Sequence, residues 1–271
     1  MITSIHPPVV LTIAGLDPSG GAGILADIKT ISAFGCYGVA AVTSLTFQNT
    51  QQVYGTLDQS AETARRQIEP LFEDFEIAAV KTGMLPTAEV IREIAALIEA
   101  KGIPIVVVDP VLRSSSGFDL VTDQAAGALM SCLFPLASLV TPNVAEVRRI
   151  TGVDVKNHAE MERAAEATLK LGARAVLITG GDADSDLSAD LLLDGEGAVV
   201  YSTERIRSKH THGTGCTLAS ALACLLARGL SLRESVPIAK RYIKAAIRSA
   251  PGIGHGHGPL NHLPPGFEIA N

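Results

Sequence analysis

The stretch Val9-Val-Leu-Thr-Ile-Ala-Gly15-Leu-Asp17-Pro-Ser-Gly20-Gly21-Ala-Gly23 reads as a short buried strand that runs into a glycine-rich turn. A helical pattern follows at once, from Ile24 to Phe34. A strand, a tight turn and a helix in that order form the opening half of a βαβ unit, and this reading sets the fold class. The turn is not a Walker A loop, because Gly20 is followed by Gly21-Ala22 and no Lys-Ser/Thr comes after it. Nor does it fit the G-x-G-x-x-G dinucleotide fingerprint, which argues against a nicotinamide dehydrogenase. Asp17 is expected to lie exposed at the strand end, where the glycines permit close approach of a small ligand.

The same rhythm continues outward from this stretch. Gly38–Leu45, Ile77–Lys81, Ile105–Val108, Leu139–Thr141 and Ala175–Thr179 read as buried strands. Helical spacing appears near Glu62–Leu71 and over Thr87–Ala100, Val144–Thr151 and Met161–Leu171. Ala189–Leu193 and Ala198–Ser202, joined by Asp194-Gly195, form a predicted hairpin. Two Ala-rich helices, Gly215–Ala227 and Arg233–Ala250, precede a Gly/His/Pro tail. With no linker-like composition shift and no internal repeat, the 271 residues predict one doubly wound α/β/α domain with a mainly parallel sheet, its core at about residues 9–262. Ligands of such sheets bind at the carboxyl ends of the strands, where the glycine-rich turns fall.

Composition narrows the function. The chain is 47% hydrophobic, mostly aliphatic, with 7 Phe, 4 Tyr and no Trp, which suits packed α/β layers. A net charge of −6 and the lack of a Lys/Arg cluster exclude a nucleic-acid-binding face. The apolar runs are too short to span a bilayer, and the start, Met1 to Pro8, has no signal-peptide pattern, so a cytoplasmic protein is expected. Cys36, Cys132 and Cys224 read as buried small hydrophobes.

Cys216 differs from these three. It lies in His212-Gly213-Thr214-Gly215-Cys216-Thr217, at the start of an Ala/Leu helix. Two glycines flanking a threonine there let backbone N–H groups converge on an anion, such as a transferring phosphoryl group. The helix-start field is expected to lower the Cys216 thiol pKa. The competing reading is a loop that merely relieves crowding. In Thr141-Pro142-Asn143-Val144-Ala145-Glu146, the N-x-x-E spacing puts Asn143 at a helix cap with Glu146 one turn on. That is either a capping box or a pair organising Mg²⁺ beside nucleotide phosphates. The tail histidines His255, His257 and His262 read as parts of a structured closing loop rather than metal ligands.

These segments together resemble the hydroxymethylpyrimidine/phosphomethylpyrimidine kinases of thiamin synthesis, in the ribokinase-like superfamily. The resemblance rests on Leu11–Gly23 with Ala26-Asp27-Ile-Lys29, Gln48-Asn49-Thr50, Lys81-Thr-Gly-Met-Leu85, Asp109-Pro-Val111, Thr141-Pro-Asn143 with Glu146, His212–Thr217 and Gly256-His-Gly-Pro259. It implies a ribokinase-like α/β/α sandwich without a separate lid domain, and a homodimer. It implies ATP-dependent phosphorylation, with Mg²⁺, of 4-amino-5-hydroxymethyl-2-methylpyrimidine and then of its monophosphate. Gln48 matches the residue that pairs with the pyrimidine, and Gly15, Asp17, Met84 and Val111 match positions around the ring. Gly213, Thr214, Gly215 and Cys216 match the anion hole, with Cys216 where sugar kinases of the superfamily place an Asp base. Asn143 and Glu146 match the Mg²⁺–ATP motif; Asp109, Thr179 and Gly181 match positions near the phosphates.

Three positions depart from the family pattern. Thr179-Gly-Gly-Asp182 stands where Lys-Gly-Gly-His is common, Arg113-Ser-Ser-Ser116-Gly117 where a Lys-Ser-Gly follows the Asp-Pro-Val strand, and Phe47 where a small residue precedes Gln-Asn-Thr. The first two bear on nucleotide affinity and the second phosphorylation, with Arg113 expected to compensate; the third bears on the pyrimidine pocket. The competing readings are a pyridoxal-type vitamin kinase and a non-catalytic pyrimidine sensor. Gln48 favours the pyrimidine, since its amide both donates to and accepts from an aminopyrimidine edge.

Overall fold

The computed structural model describes residues 6–114, 117–181 and 186–269, so Ser115, Ser116 and Asp182 lie outside the described residues, as do Met1 to Ile5. The described strands join in a single nine-stranded sheet, ordered β3-β2-β1-β4-β5-β6-β7-β8-β9. β1 (Val9–Leu16), β2 (Tyr37–Gln48), β4 (Ile77–Thr82), β5 (Val106–Val108), β6 (Leu139–Val140) and β7 (Val176–Gly181) pair in parallel. The edges are antiparallel: β3 (Val53–Asp58) on β2, and the hairpin β8 (Leu187–Asp194) and β9 (Gly197–Glu204) on β7. The ribokinase-like sandwich with a mainly parallel sheet is therefore observed. The hairpin turn falls on Gly195-Glu196, one residue later than expected, because Asp194 already pairs with Gly197.

Side-chain alternation along the central strands feeds two cores at once. Leu11, Val80, Val108 and Val140 pack on one face under α2 (Ala61–Asp74), α3 (Ala88–Lys101) and α4 (Asp123–Ala128). Their neighbours Val10, Ala79, Val107 and Leu139 pack on the other, under α1 (Gly23–Ala33), α7 (Thr214–Ala227) and α8 (Leu232–Arg248). α5 (Val144–Thr151) and α6 (His158–Leu169) cover β7 and β8 around Val147, Met161 and Ile178. Burial on both faces is why these strands are continuous apolar runs. Cys36 and Cys224 are buried in the second core as expected, whereas Cys132 is only half-buried, at the rim of the first. No described helix is long and apolar enough to cross a membrane.

Candidate active site

The carboxyl ends of the strands frame one large cavity of about 500 Å³. Thirteen of the fourteen site residues expected from sequence line it, together with Gly180; the fourteenth, Gly181, is the last residue of β7. β1 enters at Gly15, where its register against β2 shifts. Asp17 is buried, at 3% exposure, which corrects the expectation of an exposed carboxylate. The turn folds back on it: Ser19 N–H donates to Oδ1 at 2.8 Å and Ala22 N–H to Oδ2 at 3.0 Å. His212 Nε2 lies 2.7 Å from the same Oδ2. Burial alone would raise the Asp17 pKa, but the His212 and Ser19 hydrogen bonds outweigh it and hold it at about 2.

Asp17 and His212 thus tie the β1–α1 turn to the loop that enters α7. Two glycines permit that approach. A Cβ on Gly21 would sit 2.5 Å from His212 Cδ2, and one on Gly213 would sit 1.9 Å from the Gly21 carbonyl oxygen. Gly213 also caps α7 with φ +81°, in the left-handed region. The tail closes the same corner, with His212 N–H donating to Gly258 O at 3.2 Å and Gly256 N–H to Thr50 Oγ1 at 3.2 Å. His262 is buried against Thr217, so the closing-loop reading of the tail holds.

At the start of α7, Thr214 N–H donates to Thr211 O at 3.2 Å and Thr217 N–H to Gly213 O at 2.9 Å. The N–H groups of Gly215 and Cys216, between them, have no intrahelical acceptor, the arrangement an anion nest requires. The Cys216 thiol behaves otherwise than expected. Burial, then the carboxylates of Asp109 and Asp27, push it well above its ordinary value, against the pull of Lys81 and of the Gly23 N–H. Cys216 is therefore a neutral thiol, lining the cavity with Asp109.

The acidic side of the cavity comes from β5 and α5. The capping box forms: Asn143 Oδ1 accepts from Glu146 N–H and Glu146 Oε2 from Asn143 N–H, both at 2.9 Å. Both residues also line the cavity, so the cap is part of the cavity wall. Glu146 is pushed up to about 8 by burial and by Asp109, and Asp109 to about 6 by burial despite Lys81. Asp109 Oδ2 is buried with no hydrogen-bond partner among the described residues. Two buried carboxylates, one raised by the other and one with an orphaned oxygen, fit a hard divalent cation that takes oxygen ligands. The described residues hold no cluster of three or more His, Cys, Asp or Glu suited to a metal, so its other ligands would be water and phosphate oxygens.

On the opposite wall, Gln48 ends β2 half-buried beside Gly15, Met84 and Val111. The far arm runs past Thr179 and Gly180 to Lys240 on α8, whose ammonium pairs with Asp190 on β8; Asp190 also accepts from Gly180 N–H at 3.1 Å. Sequence reasoning missed Lys240 and Asp190, which sit in amphipathic patterns that explain them without a site. It also gave no role to Asp27 and Lys81, a pair buried beneath the nest with Lys81 Nζ 2.9 Å from both Asp27 oxygens. A charged residue inside an apolar strand or on the apolar face of a helix was the available signal.

Comparison with known proteins agrees with this geometry. The family model described as phosphomethylpyrimidine kinase matches residues 17–261. The hydroxymethylpyrimidine/phosphomethylpyrimidine kinase of Bacillus subtilis is 42% identical over 93% of this chain and 94% of its own length. The thiamine biosynthesis bifunctional protein ThiED of Geobacter sulfurreducens is 47% identical over 94% of this chain, which spans about half (52%) of that longer protein. Among solved structures, an ADP complex of Bacillus subtilis pyridoxal kinase superposes with TM-score 0.88 and 36% identity over 96% of this chain and 98% of the other. The chain belongs to the phosphomethylpyrimidine kinase family.

Proposed function

We propose that this protein transfers the γ-phosphoryl group of ATP to the hydroxymethyl oxygen of 4-amino-5-hydroxymethyl-2-methylpyrimidine, and then to the resulting monophosphate. One observation carries the reading: a single cavity brings together an anion nest, a cation-seeking carboxylate pair and the Gln48 amide. In this reading Gln48 pairs with the ring nitrogen and amine of the pyrimidine, against Gly15, Met84 and Val111. The N–H groups of Gly215 and Cys216 stabilise charge on the transferring phosphoryl group. Cys216 orients the attacking hydroxyl as a neutral thiol, and the hydroxyl proton passes across it to the Asp109 carboxylate as the new P–O bond forms and ADP leaves. Glu146 and Asp109, with Asn143 at the helix start, would hold Mg²⁺, which supplies charge neutralisation at the phosphate oxygens. Thr179 and Gly180 border the nucleotide arm, and Gly181 follows them at the end of β7.

The catalytic unit spans about residues 9–262 of a cytoplasmic enzyme. The homodimer implied by the family resemblance would cover Phe47 and Leu57, each about half exposed on one face of the β2–β3 edge. The likeness to pyridoxal kinase supports one alternative substrate, a hydroxymethyl on a pyridine. ADP release measured side by side with the hydroxymethylpyrimidine, its monophosphate and pyridoxal tests all of this. Turnover of the first two supports the proposal. A preference for pyridoxal makes it a pyridoxal-type kinase, and binding without any ADP release makes it a sensor.

A further inference from the structure

Beneath the nest lies a charged cluster that the proposed reaction does not use. Asp27 on α1, Lys81 on β4, Thr12 on β1 and Ser220 on α7 are each fully buried. Lys81 Nζ donates to both Asp27 oxygens at 2.9 Å, Thr12 Oγ1 to Oδ2 at 2.6 Å and Ser220 Oγ to Oδ1 at 2.8 Å. The carboxylate of Asp27 is thereby saturated. The ammonium is not, because an ammonium has three donors and its remaining neighbour is Asp109 Oδ2, 3.9 Å away. That oxygen is the one with no hydrogen-bond partner among the described residues.

Stability alone does not explain the pair. A buried ion pair is commonly no more stabilising than apolar side chains of the same volume, because both charges lose their hydration. The arrangement instead keeps a positive charge under Asp109. Both Asp27 oxygens lie 2.9 Å from the ammonium and balance its charge in the core. A charged Lys81 offsets the repulsion that Asp109 would present to an incoming triphosphate. It also steadies the carboxylate whose Oδ1 faces the nest, 3.9 Å from where a Cβ on Gly215 would sit.

We infer that Lys81 is a positioning residue for phosphoryl transfer: held by Asp27, it fixes the Asp109 carboxylate at the anion nest. The inference rests on the proposed reaction for its turnover readout only. Removing Lys81 alone would strand Asp27 in the core, so the test uses K81M/D27N, which deletes both charges and keeps a hydrogen-bonding side chain for Thr12 and Ser220. Its thermal midpoint should return close to the wild-type value, while kcat stays down by roughly 30- to 100-fold with the pyrimidine KM changed less than about threefold. Asp109→Asn should lower kcat and weaken calorimetric ATP–Mg²⁺ binding in the wild type, yet add less than about threefold to either in K81M/D27N, because both substitutions disable one unit.

Recovery of kcat together with the midpoint would make the pair purely structural and overturn the inference. So would an undiminished Asp109→Asn effect in the double variant. If K81M/D27N does not fold, the polar version K81Q/D27N takes the same measurements, and the same outcomes support or overturn the inference. Should the wild type turn over no pyrimidine, the proposed function fails separately, and the ATP-binding coupling between Asp109 and Lys81 still decides this inference.

Discussion

Glu146→Gln separates the capping role from the proposed Mg²⁺ role at the start of α5. The carboxamide oxygen of Gln can still accept from Asn143 N–H, where Glu146 accepts at 2.9 Å, so the cap survives. What disappears is a carboxylate pushed from its ordinary 4.5 up to about 8 by burial and by Asp109. Between those two pH values the folded chain holds a proton at Glu146 that the unfolded chain has released. Stability contributed by this group therefore falls as pH rises, by about 1.4 kcal/mol per pH unit at most. From about pH 6 to 8 the loss approaches 2–3 kcal/mol, or roughly 5–10 °C in thermal midpoint for a chain of this size. Asp109 titrates mainly below that window. Differential scanning calorimetry of metal- and nucleotide-free protein should show this decline in the wild type and a flatter profile in Glu146→Gln, which becomes the more stable protein near pH 8. The same variant should need at least about tenfold more Mg²⁺ and turn over more slowly, because ionised Glu146 is the form that holds the cation. A variant that melts lower at every pH with an unchanged Mg²⁺ requirement would refute the reasoning and leave Glu146 as a cap alone.

Cys216→Ala should lower kcat by roughly 10²-fold or more with little change in pyrimidine binding, whereas Cys216→Ser, which keeps a neutral proton-orienting group, should stay within about tenfold of the wild type. Because burial raises the thiol, kcat should show no tenfold-per-unit rise between about pH 7 and 9; such a rise, with rapid alkylation at neutral pH, would restore a thiolate base. Gln48→Leu should weaken the hydroxymethylpyrimidine by roughly ten- to a hundredfold in kcat/KM and pyridoxal much less, and an equal loss for both would make Gln48 structural. Gly213→Ala forces a side chain into the left-handed region at φ +81° and against the Gly21 carbonyl, so both thermal midpoint and kcat should fall. Wild-type values for both would mean that the β1–α1 turn moves freely away from the nest.

The legibility of this fold in its sequence follows burial. Strands covered on both faces, such as Val106–Val108, must be continuous apolar runs, and every one of them was readable. β3 was not, because Val53–Asp58 is an edge strand with half of its residues exposed and no apolar run to betray it. α4 was missed because six residues, followed by a π turn over Leu129–Leu133, never establish a helical period. At the site, residue types and spacing found the walls of the cavity but misjudged charge states, and the reason is the same in both cases. The expected low Cys216 pKa came from the helix start alone, a field local to the sequence, while the burial that reverses it, and the carboxylates that add to it, come from the tertiary fold, the latter from residues 27 and 109, on α1 and after β5. The expected exposure of Asp17 likewise left out His212, which lies 195 positions along the chain and 2.7 Å away. Asp27 and Lys81 show where a sequence still speaks about such contacts. A carboxylate between Ile24 and Ile31 on the buried face of α1 and a lysine inside Ile77–Thr82 each break an apolar pattern that costs the fold nothing to keep. Each break implies a partner of opposite charge, and in a sheet that places β1 between β2 and β4 the two breaks can satisfy one another. Violations of the apolar pattern, read as pairs rather than as isolated exceptions, locate the charge beneath the nest from the residues alone.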